Sequence, residues 1–88
     1  MAETKNNLTF GDALEAMKAG KKVARNGWNG KGMYLYLADG KLLTEEIGDG
    51  SYPFTDTVVM KTADNKYCIG WLASQTDMLS EDWCIVER

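Results

Sequence analysis

Residues 25–31 combine the side chains that a binding site for a phosphorylated nucleoside requires. Arg25 or Lys31 could neutralise a pyrophosphate, and an arginine can do so through two hydrogen bonds at once. The glycines of this segment would let backbone N–H groups approach an anion. Trp28 has a flat face on which a purine could stack, a contact worth about 1–3 kcal/mol per base in single-strand binders. The alternative is structural: Trp28 belongs to the core, and residues 26–27 form a hairpin turn.

A second polar segment follows the apolar run that ends near Trp71. Its hydrogen-bonding side chains are Ser74, Gln75, Thr76 and Asp77. Asp77 could accept hydrogen bonds from ribose hydroxyls or from an exocyclic amine. Two interpretations stay open, a ligand-binding loop and a helical turn that Ser74 or Thr76 caps.

The side chains that most enzymes use are missing from the sequence. The chain contains no histidine, so the commonest general base, the usual catalytic triads and the usual zinc sites all lack a member. Two pairs of adjacent carboxylates, Glu45 with Glu46 and Glu81 with Asp82, are interpreted as solvated charges, whereas catalytic pairs are held at a defined separation. The glycines fit neither a Walker loop nor a dinucleotide-binding fingerprint. We therefore expect a binding protein with no catalytic residue, no metal ligand and no cofactor.

The chain has 88 residues and a formal net charge of −3. One domain fits this length, and we predict a flexible N-terminus over residues 1–8 and a single ligand-binding domain over residues 9–88. The acidic balance argues against a nucleic-acid polymer as partner, because phosphate neutralisation supplies most of the affinity of duplex binders. No apolar run reaches membrane-spanning length and no signal peptide is recognised, so we expect no membrane partner and a cytoplasmic protein.

Apolar periodicity predicts one helix followed by short strands. Phe10, Ala13, Leu14 and Met17 form a single stripe behind the N-cap Thr9, which predicts a helix over residues 10–19. Alternation between glycine-containing turns predicts the strands, which cover residues 22–25, 33–37, 41–43, 58–61, 67–72 and 83–86. Asp39 and Gly40 are predicted as a tight turn, residues 44–56 as an irregular loop, and residues 73–81 as a loop or one helical turn.

These elements predict an α+β domain: one N-terminal helix packed on a small, mainly antiparallel sheet of five to six short strands. Tyr67 and Trp83 alternate with apolar neighbours and are predicted to lie in the core. Cys68 and Cys84 are predicted to be reduced core thiols. The second sheet face is expected to hold a ligand or a partner subunit. A chain this short buries only about 60–65% of its unfolded surface, so we expect it to form a homo-oligomer.

Five segments resemble, in order and spacing, a phage and prophage family, the second type of Thoeris anti-defence protein. They are residues 9–14, 25–33, 60–64, 71–79 and 81–83, and the similarity extends from residue 8 to residue 86. The resemblance places Arg25, Trp28, Asn29 and Gly30 in a first pocket loop. It places Trp71, Ser74, Gln75, Thr76 and Asp77 in a second. The chain departs from the family mainly at residues 41–56, where many relatives have a longer segment.

The resemblance implies a protein that sequesters an immune signal without cleaving it. The expected ligand is a cyclic ADP-ribose isomer, glycocyclic ADP-ribose, and the expected partner is the chain itself, in a homotetramer with pockets shared between protomers. Some members of the family also hold cyclic oligonucleotides at separate sites, an activity that the short segment 41–56 makes doubtful here. Two alternatives stay open: a protein-interaction module that inhibits a host defence factor, and a hydrolase that acts on the nucleotide signal.

Overall fold

A computed structural model describes residues 6–28 and 32–87, and within these residues the chain forms an α+β domain. Its helices are α1 (Phe10–Lys18), α2 (Gly40–Ile47) and α3 (Gln75–Leu79). Its strands are β1 (Lys22–Arg25), β2 (Tyr34–Ala38), β3 (Thr57–Lys61), β4 (Tyr67–Ile69) and β5 (Trp83–Val86). These strands form one antiparallel sheet in the order β4-β3-β2-β1-β5, which confirms the predicted fold class.

Helix α1 covers one face of the sheet. It begins with a capping box in which Thr9 and Asp12 each accept a hydrogen bond from the other's backbone N–H. Ala13 and Met17 are buried in a core to which the sheet contributes Val23, Leu35 and Trp83. Leu14, predicted as part of the buried stripe, is 36% exposed instead.

Strand β5 closes the sheet beside β1 and brings the chain's last strand next to its first. Arg25 at the end of β1 lies opposite Trp83 at the start of β5. Leu8 pairs with Trp83 through backbone hydrogen bonds in both directions, with N–O distances of 2.9 and 3.2 Å. The two polar segments predicted from the sequence follow β1 and precede β5. This antiparallel register therefore brings them to the same end of the sheet.

The region after β2 differs from the prediction. Gly40 does not begin a tight turn into a strand over residues 41–43, because Asp39 acts as a helix N-cap and accepts a hydrogen bond from the Lys41 amide at 2.8 Å. Helix α2 follows and ends at Ile47, so the predicted irregular loop begins only at residue 48. Asp56 supports the helix start from a distance by accepting the Gly40 amide at 2.8 Å.

Two residues predicted to lie in the core are on the surface. Tyr67 is 65% exposed and Cys68 is exposed, because β4 is a short strand at the sheet edge. Cys84 is partly buried on β5, and both thiols are free, as predicted. Trp83 is fully buried, as predicted. Edge position, which alternation cannot reveal, accounts for both errors.

Candidate functional site

Three tryptophans meet where β1 ends and β5 begins. The ring centroid of Trp28 lies 5.5 Å from that of Trp83 and 6.3 Å from that of Trp71. The centroids of the Trp71 and Trp83 rings are also 6.3 Å apart. All three pairs are edge-to-face, the arrangement that aromatic quadrupoles favour. Trp28 and Trp71 are half-buried and pack against the core through Trp83. Each of them therefore contributes to the core and also reaches the surface.

Arg25 lies beside this cluster between two carboxylates. Its Nε donates to Asp82 Oδ1 and its Nη1 to Asp77 Oδ1, both at 2.9 Å. The side chains of Arg25, Asp77 and Asp82 are 15%, 14% and 33% exposed, so the ion pairs are largely shielded from water. A guanidinium suits this position because its donors are fixed in a planar fork. Arg25 therefore joins the segment after β1 to both α3 and the start of β5.

The pKa of each of these three groups is shifted in the direction that favours its charged form. Hydrogen bonding to Arg25 is the main cause that lowers the pKa of Asp82 below its ordinary value. Burial raises the pKa of Asp77, but hydrogen bonds from Ser74 and Arg25 outweigh it, and the net shift is downward. Hydrogen bonds to Asp82 and Asp77 raise the pKa of Arg25 further. Both carboxylates are ionised at neutral pH, where they are poorly matched to general acid catalysis.

Helix α3 contains most of the second predicted segment. Ser74 is its N-cap: the Ser74 hydroxyl accepts the Asp77 amide, and Asp77 Oδ2 accepts the Ser74 amide, each at 3.1 Å. The sequence-based interpretation of Ser74 as a helix cap is confirmed. The backbone carbonyl of Asp77 also accepts a hydrogen bond from the Trp83 indole at 3.0 Å. Asp77 thus connects α3 to both Arg25 and the tryptophan cluster.

A close approach of backbone to side chain fixes the turn after β1. The Gly27 amide donates to Asp82 Oδ2 at 2.9 Å. A Cβ atom at this position would lie 2.9 Å from the same oxygen, closer than ordinary van der Waals contact. The Asn26 amide donates to the Asp82 carbonyl at 2.9 Å, and the Trp28 amide to the Arg25 carbonyl at 3.2 Å. A larger residue at position 27 would therefore require the Asp82 carboxylate or the turn to shift.

The structure brings Arg25, Trp28, Trp71, Ser74 and Asp77 of the predicted site together. Gln75 and Thr76 are exposed on α3 next to them. The remaining predicted residues, Asn29, Gly30 and Lys31, lie outside the described residues.

Asp82 is the member of this site that the sequence analysis missed. It was interpreted as a solvated charge, but it accepts hydrogen bonds from Arg25 and Gly27. The register that places residue 82 beside the end of β1 comes from pairing between strands distant in the chain. In the sequence, the one signal that Asp82 belongs to the site was its position immediately before Trp83. A residue next to a buried side chain has its own position fixed in part by the core.

A separate groove is lined by described residues away from this site. This groove, of about 510 Å³, lies at the opposite end of β1 and is lined by Gly20, Lys21, Lys22, Ile85, Val86 and Glu87. Among the residues that the structure describes, no cluster of three or more histidine, cysteine or carboxylate side chains could hold a metal ion. Within the same described part of the chain, no helix is long and apolar enough to cross a membrane.

Comparison with known proteins agrees with the earlier resemblance. The model of the Thoeris anti-defense 2-like domain matches residues 8–86, which include the described members of the site. A curated relative from Bacillus phage SP01, "Thoeris anti-defense 2", is 46% identical over 88 aligned residues, covering 93% of this chain and 98% of the relative. The chain therefore belongs to the Thoeris anti-defense 2-like family.

Proposed function

We propose that the chain counteracts Thoeris defence by sequestering a cyclic ADP-ribose-type signal, glycocyclic ADP-ribose, without cleaving it. The observation that carries this proposal is the half-buried pair Trp28 and Trp71 beside an ordered set of polar side chains. A rigid aromatic surface with polar groups at its rim is typical of small-ligand sites. A cyclic ligand is itself rigid, so its capture loses little conformational entropy.

The charge around Arg25 argues against Arg25 as the group that neutralises the ligand's phosphates. One arginine and two aspartates leave a formal charge of −1 around Arg25. A pyrophosphate placed against this group alone would be repelled. We therefore assign its neutralisation to Lys31 with the backbone amides of the glycine-rich segment around Asn29 and Gly30. The purine is assigned to the exposed face of Trp28, and the ribose hydroxyls to Gln75 and Thr76.

The proposal also includes self-association: four copies of the chain form a homotetramer in which the ligand pockets are shared between protomers. The sheet face opposite α1 carries Tyr34 and Tyr36 on β2, and Tyr67 and Ile69 on β4. The Tyr36 and Tyr67 rings meet edge-to-face at 5.9 Å. Tyr67 and Ile69 are 65% and 52% exposed, although they lie on a sheet. A second copy packed on this face would bury apolar area that a short chain cannot bury alone.

Equilibrium binding with recovery of the ligand tests the proposed function. The protein is incubated with glycocyclic ADP-ribose and filtered, and the retained fraction is heat-denatured and analysed. We expect the filtrate to lose the ligand and the heated protein to release it unchanged. Ligand that stays in the filtrate would contradict the proposal, and a chemically altered product would indicate catalysis instead of sequestration.

Trp28→Leu tests the assigned stacking surface. Because Trp28 packs on Trp83, leucine is preferred to alanine, which would leave a larger void in the core. We expect affinity to fall about 5-fold to 150-fold, since stacking on an aromatic ring contributes about 1–3 kcal/mol per base. Tyr52→Leu is the matched control, because Tyr52 is an aromatic residue at 84% exposure outside the site. Equal binding by Trp28→Leu and wild type in titration calorimetry would refute the stacking assignment.

A further inference from the structure

We infer that Asp82 is a positioning residue, which holds Arg25 and the Gly27 amide in place and so orients Trp28 for the ligand. The inference rests on the proposed function and concerns the same site. The two oxygens of the Asp82 carboxylate have separate partners, since Oδ1 accepts Arg25 Nε and Oδ2 accepts the Gly27 amide, each at 2.9 Å. The side chain that immediately precedes β5 thus links the last residue of β1 to the turn that leads to Trp28.

The backbone around Asp82 strengthens this link. Its carbonyl accepts the Asn26 amide at 2.9 Å, so residue 82 holds three successive residues of the turn. Trp83, the next residue, is fully buried and packs edge-to-face on Trp28, with the two ring centroids 5.5 Å apart. The polar contacts of Asp82 and the apolar contact of Trp83 therefore hold Trp28 from two sides. Movement of the carboxylate would be transmitted directly to the indole ring.

The geometry also separates two possible roles of Arg25. If Arg25 bound the ligand's phosphates itself, Asp82 would compete with them, and its neutralisation would free the guanidinium and strengthen binding. If Arg25 and Asp82 position Trp28, the same neutralisation would weaken binding. The shared carboxylates and the low exposure of Arg25 favour the second role. The sign of the affinity change therefore distinguishes the two roles.

Asp82→Asn is the deciding variant. An asparagine amide nitrogen would face either Arg25 Nε or the Gly27 amide with a donor where an acceptor is required. We expect affinity for glycocyclic ADP-ribose in titration calorimetry to fall at least about tenfold, equivalent to about 1.4 kcal/mol. Glu81→Gln is the matched control, because it removes the same charge from an exposed neighbouring residue, and it is expected to bind like wild type. Unchanged or tighter binding by Asp82→Asn would overturn the inference.

Gly27→Ala tests the same contact without altering any charge. The added Cβ would lie 2.9 Å from Asp82 Oδ2 and would push the carboxylate and the turn apart. We expect it to weaken ligand binding in the same direction as Asp82→Asn. Wild-type affinity for Gly27→Ala would contradict a positioning role, since the turn would then tolerate separation from Asp82.

A spectroscopic readout tests the inference even if the ligand is not bound. The protein is labelled with 5-fluorotryptophan, and its ¹⁹F resonances are assigned with Trp28→Phe and Trp71→Phe. In ligand-free Asp82→Asn we expect the Trp28 resonance to shift or broaden while that of Trp71 changes less, and Glu81→Gln to leave all resonances in place. An unmoved Trp28 resonance would refute positioning. Failure of wild type to bind, with Trp28 displaced in Asp82→Asn, would refute the proposed function alone.

Discussion

Arg25 is the residue on which the polar contacts of the site converge. Its two carboxylate partners come from different parts of the fold, Asp77 from α3 and Asp82 from the position immediately before β5. Removal of a charged hydrogen-bond partner costs more than the intact pair contributes, because the groups that remain are left partly desolvated. Arg25 therefore contributes to stability by preventing two half-shielded carboxylates from facing each other without a cation.

Arg25→Met tests this contribution and its pH dependence. At neutral pH we expect a loss of about 1–3 kcal/mol in the free energy of unfolding. Arg25 lowers the folded-state pKa of Asp77 and Asp82. Their stabilisation is therefore complete above the unfolded pKa of about 4 and is lost as the pH falls through the lower folded values.

Thermal melts of wild type and Arg25→Met at several pH values measure this effect. We expect the difference between the melting temperatures of wild type and Arg25→Met to be largest near pH 7 and to shrink as the pH falls below about 4. Lys41→Met is the matched control, because Lys41 is exposed on α2. A difference that is independent of pH would show that the aliphatic packing of Arg25, and not its ion pairs, stabilises the fold.

The helices are defined at their starts by side-chain caps and, in α2, also by contacts from beyond the helix. Thr9 and Ser74 each form a capping box within four residues of sequence. Helix α2 begins at Gly40, whose amide donates to Asp56, and Thr44 accepts the Phe54 amide at 2.7 Å. The segment after α2 thus folds back on the helix and supports it. This support requires Gly40 to lie directly against the backbone of residues 54–56.

Gly40→Ala tests that close approach. The added Cβ would lie 2.3 Å from the Phe54 carbonyl oxygen and 2.6 Å from the Thr55 carbonyl carbon, and backbone atoms cannot move away as a flexible side chain can. We expect a loss of about 1–3 kcal/mol, the usual cost of overpacking. Gly11→Ala in α1 is the control, because the Cβ added there would have its nearest neighbouring atom 3.7 Å away. We expect this variant to be neutral or to stabilise the fold by about 0.5–1 kcal/mol. Equal chemical-denaturation curves for the two variants would contradict the assigned contact.

As a whole molecule, the domain has one sheet face packed on α1 and an opposite face rich in tyrosine. On that opposite face, Tyr34 lies under two lysines, with Lys22 Nζ 5.0 Å and Lys61 Nζ 6.0 Å from its ring centroid. Cation–π contacts of this kind shield part of an aromatic surface. Tyr67 and Ile69, nearer the β4 edge, remain exposed. The proposed self-association would therefore be centred on the β4 side of this face.

Ile69→Lys tests the proposed interface. A charge placed on the β4 side of the face would have to be buried on association, so we expect dissociation of the oligomer. Sedimentation velocity at micromolar concentration measures the change in mass relative to wild type. Leu42→Lys, an equally exposed apolar position on α2, should leave the mass unchanged. A wild-type chain that sediments as a monomer, or an Ile69→Lys variant that retains the oligomer, would contradict the proposal.

Local sequence determined the elements whose signals are short-range. The capping residues and apolar stripe of α1 identified that helix to within one residue of its observed end. Alternation located β1, β3 and β5, and residue type alone singled out the two polar segments that the structure brings to the same end of the sheet. The sequence predicted Ser74 or Thr76 as a helix cap, and the structure shows that Ser74 forms a capping box, which is complete within four residues.

Tertiary structure decided what depends on residues far apart in the chain. Helix α2 was mistaken for a turn and a strand because part of its support comes from Asp56 and Phe54. Tyr67 lies at the surface because sheet order places β4 at an edge. Asp82 is part of the site because antiparallel pairing of β5 with β1 brings it to the turn after Arg25. Sequence thus determined the residue types of the site, while strand pairing, which is non-local, determined which of them meet.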